Sequence, residues 1–301
     1  DLINSLIKMG RFEIKINDMP WGVCPRDGLK KGIHDEIIRC IMPHPPKLDR
    51  QPDVFIQCSV PNEFNPVGKF NIGITAGIET TACSADWLQG LNRMDMNIVP
   101  SEHSKNVFLE TVYNQKDQKT NNIIGSLKSE KPIEVLFEGV NKKVFNSKNE
   151  IPETINDMLR DIPEKFCYLV CGHWLKGDFG HDRKDLATTV RCFLETFKKT
   201  SESKRPALIL KTSMATFSVI DRENLLETIK NLRKASGIKN APEVYLLHGD
   251  LTEAEMNGLY NHYKIKAMVS FTKGEGYGRP LAEFSTTGKP IIASNWSGHL
   301  D

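Results

Sequence analysis

From Phe166 onward, short apolar runs alternate with amphipathic stretches at a regular spacing. The runs are FCYLVCGH (166–173), ALILKTS (207–213), EVYLLHGD (243–250), KAMVSFT (266–272) and PIIASN (290–295). Between them lie DLATTVRCFLETFKK, ENLLETIKNLRKASG, TEAEMNGLYNHYK and the residues after Gly278, all with helical periodicity. Runs that are apolar almost throughout, rather than at every second residue, belong to strands covered on both faces. Joined through helices, such strands form a parallel, Rossmann-like sheet whose ligands gather beyond the carboxyl ends of the strands.

The first half shows the same alternation less cleanly. FEIKI (12–16), DVFIQCS (53–59), FNIGITAG (70–77), MNIVPSE (96–102) and IEVLFEG (133–139) read as strands. MPHPPKLDRQPD (42–53) and the polar tract NQKDQKTNNIIGSLKSEK (114–131) read as surface connections, and VNKKVFNSKNEIPE (140–153) as a linker. A chain of 301 residues, 39% hydrophobic and 26% charged, is long enough for two moderate cores. We therefore expect an α/β protein with one domain at 1–145 and a second at 146–301.

Charge and cysteine content exclude several classes. A net charge of +2 is too small for the concentrated basic face of a nucleic-acid binder. No apolar span approaches the ~18 residues of a membrane-crossing helix, and DLINSLIKMG lacks a secretory pattern. Seven cysteines, an odd number scattered through the chain, suit reduced thiols and a cytoplasmic setting. Cys167, Cys171 and His173 share one face of an apolar strand, which favours buried thiols over a metal site, so no metal is expected.

The stretch from Phe271 to Gly298 carries the chemistry. Gly274, Gly276 and Gly278 permit a sharp turn and close backbone approach, and Pro280 suits the start of a helix. The amides of Gly276, Tyr277, Gly278 and Arg279 then face an anion at a helix terminus. Glu275 and Glu283 bracket this turn, and carboxylates beside a diphosphate suit sugar and ribose hydroxyls. On spacing alone the segment reads either as a nucleotide-sugar cradle or as a surface helix with two solvated glutamates. A dinucleotide enzyme is disfavoured, since no G-x-G-x-x-G opens the first βα unit.

GEGYGRPLAE followed by GKPIIASNWSG resembles the donor-binding signature of retaining glycosyltransferases of the GT-B fold, the large family-four group. NIGITAGIETT, DWLQGLNRMDMNIVPSEHSKNVF and VLFEGVNKKVF resemble that group's acceptor domain, so the likeness covers most of the chain. It implies two Rossmann-like domains facing a central cleft, and metal-independent transfer of a sugar from a nucleotide-diphosphate sugar with retention of configuration. No cofactor is implied beyond that donor, and the acceptor is a glycan, a lipid or a small molecule. DLINSLIKMG resembles the group's first helix, and Asp301 follows directly on its last motif, so we expect a piece of a longer protein or a trimmed version.

The resemblance also distributes roles. Glu275 falls on the sugar contact, Glu283 on the ribose contact, and Gly276, Tyr277 and Gly278 on the diphosphate, with Tyr277 where phenylalanine is usual. Lys184, with Arg183, falls on the phosphate-contacting position before a helix, giving Glu275, Lys184 and Arg183 as catalytic candidates. His173 stands where relatives have arginine, and reads either as a phosphate contact or as a structural histidine. Lys176, Arg183 and Lys211 are its substitutes. His248, Gly249 and Leu251 fall at the base, and Glu79 and His103 on the acceptor side. Ser101 reads as a helix cap and Trp87 as packing. The other class of function is a catalytically inactive nucleotide- or sugar-binding or structural protein. The enzyme is expected in the cytoplasm, free or peripheral to a membrane.

Overall fold

The computed structural model describes residues 2–19, 28–117, 119–120, 122–175, 181–214 and 216–301. They pack as two compact units, 1–55 with 67–69, and 56–66 with 70–301. The first unit holds α1 (Leu2–Met9) and the single turn α2 (Asp35–Ile38). FEIKI does not form a strand there. Only Ile16 pairs, in an isolated parallel bridge with Ile41, and Phe12 and Glu13 remain exposed, so no neighbouring strand rewards extension.

The other sequence elements of the first half appear as β1 (Val54–Cys58), β2 (Phe70–Ile74), α3 (Ala85–Arg93), β3 (Met96–Val99), α4 (Glu102–Glu110), β4 (Tyr113–Lys116), β5 (Ile123–Leu127) and β6 (Ile133–Val135). The sheet order is β1-β2-β3-β6, with β2, β3 and β6 parallel. Leu88 and Leu91 of α3 and Phe108 of α4 meet Phe64, Val99 and Ile133 in its core. Trp87 packs there against Phe108, their ring centroids 6.2 Å apart. The polar tract after α4 is more ordered than its composition suggests: β4 and β5 form an antiparallel hairpin, tied down where Tyr113 donates to the Cys83 carbonyl.

The second half contains α5 (Glu153–Leu159), β7 (Cys167–Cys171), α6 (Leu186–Phe197), β8 (Ala207–Lys211), α7 (Val219–Ser236), β9 (Val244–Leu247), α8 (Glu253–Asn261), β10 (Ile265–Ser270), α9 (Arg279–Ser285) and β11 (Ile291–Ala293). Its five strands are all parallel, in the order β11-β10-β7-β8-β9. Leu169, Ile209 and Met268 face α5, α8 and α9, while their chain neighbours Val170, Leu208, Leu210 and Val269 face α6 and α7. Because successive side chains point to opposite faces, burial of both sets requires helices on both sides. The segment expected as a linker packs against this core: Phe145 is buried in it, with Val140 and Val144 beside it.

Candidate functional site

The loops at the carboxyl ends of the two sheets interlock. A Cβ on Gly274 would lie 1.8 Å from the Glu79 carbonyl oxygen, and one on Gly276 would lie 2.3 Å from that of Ala76. A Cβ on Gly298 would fall 2.1 Å from the carbonyl of Gly276. The close approach that Gly274 and Gly276 permit is thus to the loop after β2, a neighbour the local sequence does not reveal. Gly278 has a different task. Its φ of +82° makes it the left-handed cap of α9, and there any other residue is strained.

Beyond the turn the backbone is poised for an acceptor group. Among the described residues nothing accepts from the amides of Gly276, Tyr277, Gly278 or Arg279. Glu275 is held by its own backbone: its amide donates to Ser297 Oγ at 2.7 Å, and that hydroxyl donates back to the Glu275 carbonyl at 2.8 Å. Ser297 is in the left-handed region at φ +94°, a strained position maintained beside the site.

The buried Glu275 carboxylate pairs with Lys184 through Oε1 and lies 3.5 Å from Arg183 through Oε2. Arg183 also donates to the Gly274 carbonyl at 2.8 Å and lies 3.6 Å from Glu79. The amino-terminal loop of α6 positions both cations. Asp182, itself buried, accepts from the amides of Lys184 at 3.2 Å and Leu186 at 3.1 Å, which ties the loop to the first residue of α6, with Lys184 paired to Glu275. The Lys184 stem lies over Gly172, where a Cβ would meet it at 3.4 Å.

Glu283 is buried on α9, where it accepts from Arg279 Nε at 3.0 Å and from the Tyr260 hydroxyl at 3.2 Å. Burial pushes its carboxyl above the usual range, and Arg279 works against that shift. Below it sits Cys171, whose thiol burial pushes up to about 12 and which feels Lys211, Glu283 and Lys184 together. Lys211 donates to the Gly249 carbonyl at 2.6 Å, and burial lowers its pKa. His173 is fixed by a 2.9 Å contact between Nδ1 and Ser213 Oγ.

The chain superposes on an α,α-trehalose-phosphate synthase (UDP-forming) from Burkholderia xenovorans in complex with glucose-6-phosphate, with a TM-score of 0.55 at 11% identity, covering 83% of this chain and 61% of that one. It also matches the E. coli trehalose-6-phosphate protein bound with UDP-2-fluoro glucose, with a TM-score of 0.52 at 13% identity over 76% of this chain and 54% of that one. The chain has the GT-B fold. A third match, the amino-terminal domain of a Candida albicans trehalose-6-phosphate phosphatase, has a TM-score of 0.52 at 14% identity, covering 83% and 58% of the two chains. The chain therefore spans little more than half the length of these GT-B structures. No family model matches it, and no curated protein matches it by sequence.

Within the GT-B frame, Glu79, Arg183, Lys184 and Glu275 come together in one ion-pair group. Lys211, Gly249 and His248 form a second group at the ends of β8 and β9, while Leu251 packs into the core beneath α8. His103 lies apart on α4, edge-on to Trp296 at 4.9 Å, with its amide donating to Asp301. Ser101 caps α4 through the Ser104 amide, as its position predicts. Lys176 lies outside the described residues. No group of three or more His, Cys, Asp or Glu side chains among the described residues is placed to hold a metal ion.

Asp182, Ser213, Tyr260 and Ser297 escaped sequence reasoning. Asp182 carried a readable signal, an acidic residue just before a helix. The other three act through hydroxyl partners that only the tertiary fold brings near.

Proposed function

We propose that this chain belongs to a glycosyltransferase that moves a sugar from a nucleotide-diphosphate sugar to an acceptor with retention of configuration. One observation carries the reading: a buried carboxylate, Glu275, is neutralised by Lys184 and Arg183 directly beside four backbone amides that have no acceptor among the described residues. Those amides and Lys184 suit a diphosphate, and Glu275 keeps lone pairs for sugar hydroxyls. Glu283, already taking hydrogen bonds from Tyr260 and Arg279, is the ribose acceptor.

In this reading the bond between the anomeric carbon and the diphosphate oxygen breaks while the acceptor oxygen bonds to that carbon on the same face. The acceptor proton passes to the departing phosphate oxygen. Negative charge grows on that oxygen, and preorganised amides and cations stabilise it more than they stabilise the bound donor. Lys184, Arg183 and Lys211 supply positive charge, so we assign no metal to the step. Residues 1–145 form the acceptor side, with Glu79 and His103 as its candidates, and 146–301 the donor side. No helix among the described residues is long and apolar enough to cross a membrane, and the six described cysteines are free thiols. We propose a reducing, cytoplasmic setting for the enzyme, which the odd number of scattered cysteines supports.

Calorimetric titration with UDP, GDP and ADP tests the site. Saturable binding of at least one is expected, and binding of none of them overturns the reading. Release of the nucleoside diphosphate from the matching nucleotide sugar, accelerated by an acceptor that takes up the sugar, then separates an enzyme from a binding protein, which would hold the nucleotide without turnover.

A further inference from the structure

Tyr277 stands between Gly276 and Gly278, so it carries the single side chain in that tripeptide. Glycine leaves the backbone its greatest freedom and makes it the costliest to order. Any side-chain tie on the middle of the turn must therefore act through Tyr277. Such a tie exists: the Gly139 amide donates to the Tyr277 hydroxyl at 3.1 Å, across 138 positions of sequence.

The place of Gly139 in the chain gives that bond its consequence. Before it, β6 pairs with β3 and the Leu136 amide donates to the Val99 carbonyl at 2.9 Å, so the backbone still belongs to the first sheet. After it, Val140, Val144 and Phe145 pack into the core of the five-stranded sheet. Gly139 is where the chain crosses from one to the other. Its φ of +72° lies in the left-handed region, while a Cβ there would meet nothing within 4 Å. Backbone conformation, not space, calls for glycine, and that conformation sets the direction of the amide. The tie is a second anchor on the turn, separate from the packing of Gly274 against Glu79 and of Gly276 against Ala76.

We propose that the Tyr277 hydroxyl is a positioning group: bonded to Gly139, it holds the amides of residues 276–279 in the arrangement that receives a diphosphate. The inference rests on the donor-site reading above and deepens it, because it assigns to one side chain the order which that reading requires of the backbone. Amides held in place before the anion arrives cost less to order on binding, and they already face the oxygen on which charge grows. The hydroxyl acts through the turn and not on the ligand. Every ligand that places a diphosphate there depends on it equally.

Calorimetry with inorganic pyrophosphate, UDP, GDP and ADP tests this on the wild type, Tyr277→Phe, Gly139→Pro and the double variant, with amide exchange at Gly139 followed by NMR. Tyr277→Phe keeps the ring and removes the acceptor, whereas Gly139→Pro has no amide hydrogen to give. Tyr277→Phe should weaken pyrophosphate and each nucleotide that binds by one common factor of about two to ten, the range for one net hydrogen bond. The Gly139 amide of the unliganded variant should exchange faster than in the wild type. In the Gly139→Pro background the same tyrosine change should cost nothing further. Unchanged affinity in Tyr277→Phe, a loss confined to nucleotides, or a full loss that persists beside Gly139→Pro would each overturn the assignment. Should Gly139→Pro not fold, exchange in unliganded Tyr277→Phe decides, since a hydroxyl that met the ligand directly would leave the Gly139 amide unchanged. If the wild type binds no diphosphate at all, the donor-site reading falls and this role falls with it; if the wild type binds and Tyr277→Phe binds equally, the role of the hydroxyl alone falls.

Discussion

Lys184 and Glu275 are coupled tightly enough that neither can be altered alone without exposing the other. Removing one partner of a buried ion pair typically costs about 3–5 kcal/mol because it leaves an uncompensated charge, although the 3.5 Å approach of Arg183 softens that here. For Lys184→Ala we expect a drop in thermal stability together with a fall in turnover of roughly 10²–10³, the range for losing one preorganised group at a developing oxyanion. Nucleotide affinity should fall much less. An equal loss of affinity with unchanged maximal rate would make Lys184 an anchor rather than a catalytic group. On the proposed reading, in which Glu283 accepts from the ribose hydroxyls, Glu283→Ala should weaken nucleoside diphosphate binding by about 1–3 kcal/mol, measured by calorimetry. Unchanged affinity would remove Glu283 from the site.

At the scale of elements, α8 and α9 show how a helix start fixes the turn that leads into it. Thr252 accepts from the Glu255 amide, and the Glu255 side chain accepts from the Thr252 amide, a reciprocal cap that fixes where the chain turns from β9 into α8. Thr252→Ala should lower the unfolding free energy by about 1 kcal/mol in urea titration. The start of α9 is less forgiving. An alanine at Gly278 must adopt φ +82° and bring its Cβ to 2.6 Å from that of His299. Gly278→Ala should therefore lower the melting temperature and weaken nucleotide binding together, since the same turn presents the amides. A variant with normal affinity would show that the turn does not cradle the ligand.

Across the whole molecule, acid stability should depend on His262. This residue is buried at the end of α8, accepts from the Lys264 amide at 3.2 Å, and is pushed down to about 4 by burial and by the cations Lys264 and Lys289. It folds neutral, whereas the unfolded chain protonates it near 6.5. Its stabilising contribution is complete above pH 6.5 and is lost as pH falls toward 4, at up to about 1.4 kcal/mol per unit. His262→Gln should flatten the stability profile in that window, as read by urea denaturation at several pH values. A profile identical to wild type would assign the acid sensitivity to other groups.

What the chain's own order of residues determined was the second half: apolar runs long enough for strands, helical periods between them, and a glycine turn flanked by glutamates, all of them local patterns. Each of the five expected strands there exists, because continuous apolar character is itself the condition for burial on both faces. The first half was less legible where pairing is non-local. FEIKI has strand character but no partner, and the polar tract after α4 lacks apolar bias yet forms a hairpin because its ends are anchored at Cys83 and α3. Likewise Glu275 and Lys184 could be named from motif position, but not their ion pair with Arg183, nor the packing of Gly274 against Glu79. Those contacts join residues about 90 to 200 positions apart. Only the tertiary structure could decide them, since a hydrogen bond or an ion pair depends on distances of a few ångströms that no local pattern encodes.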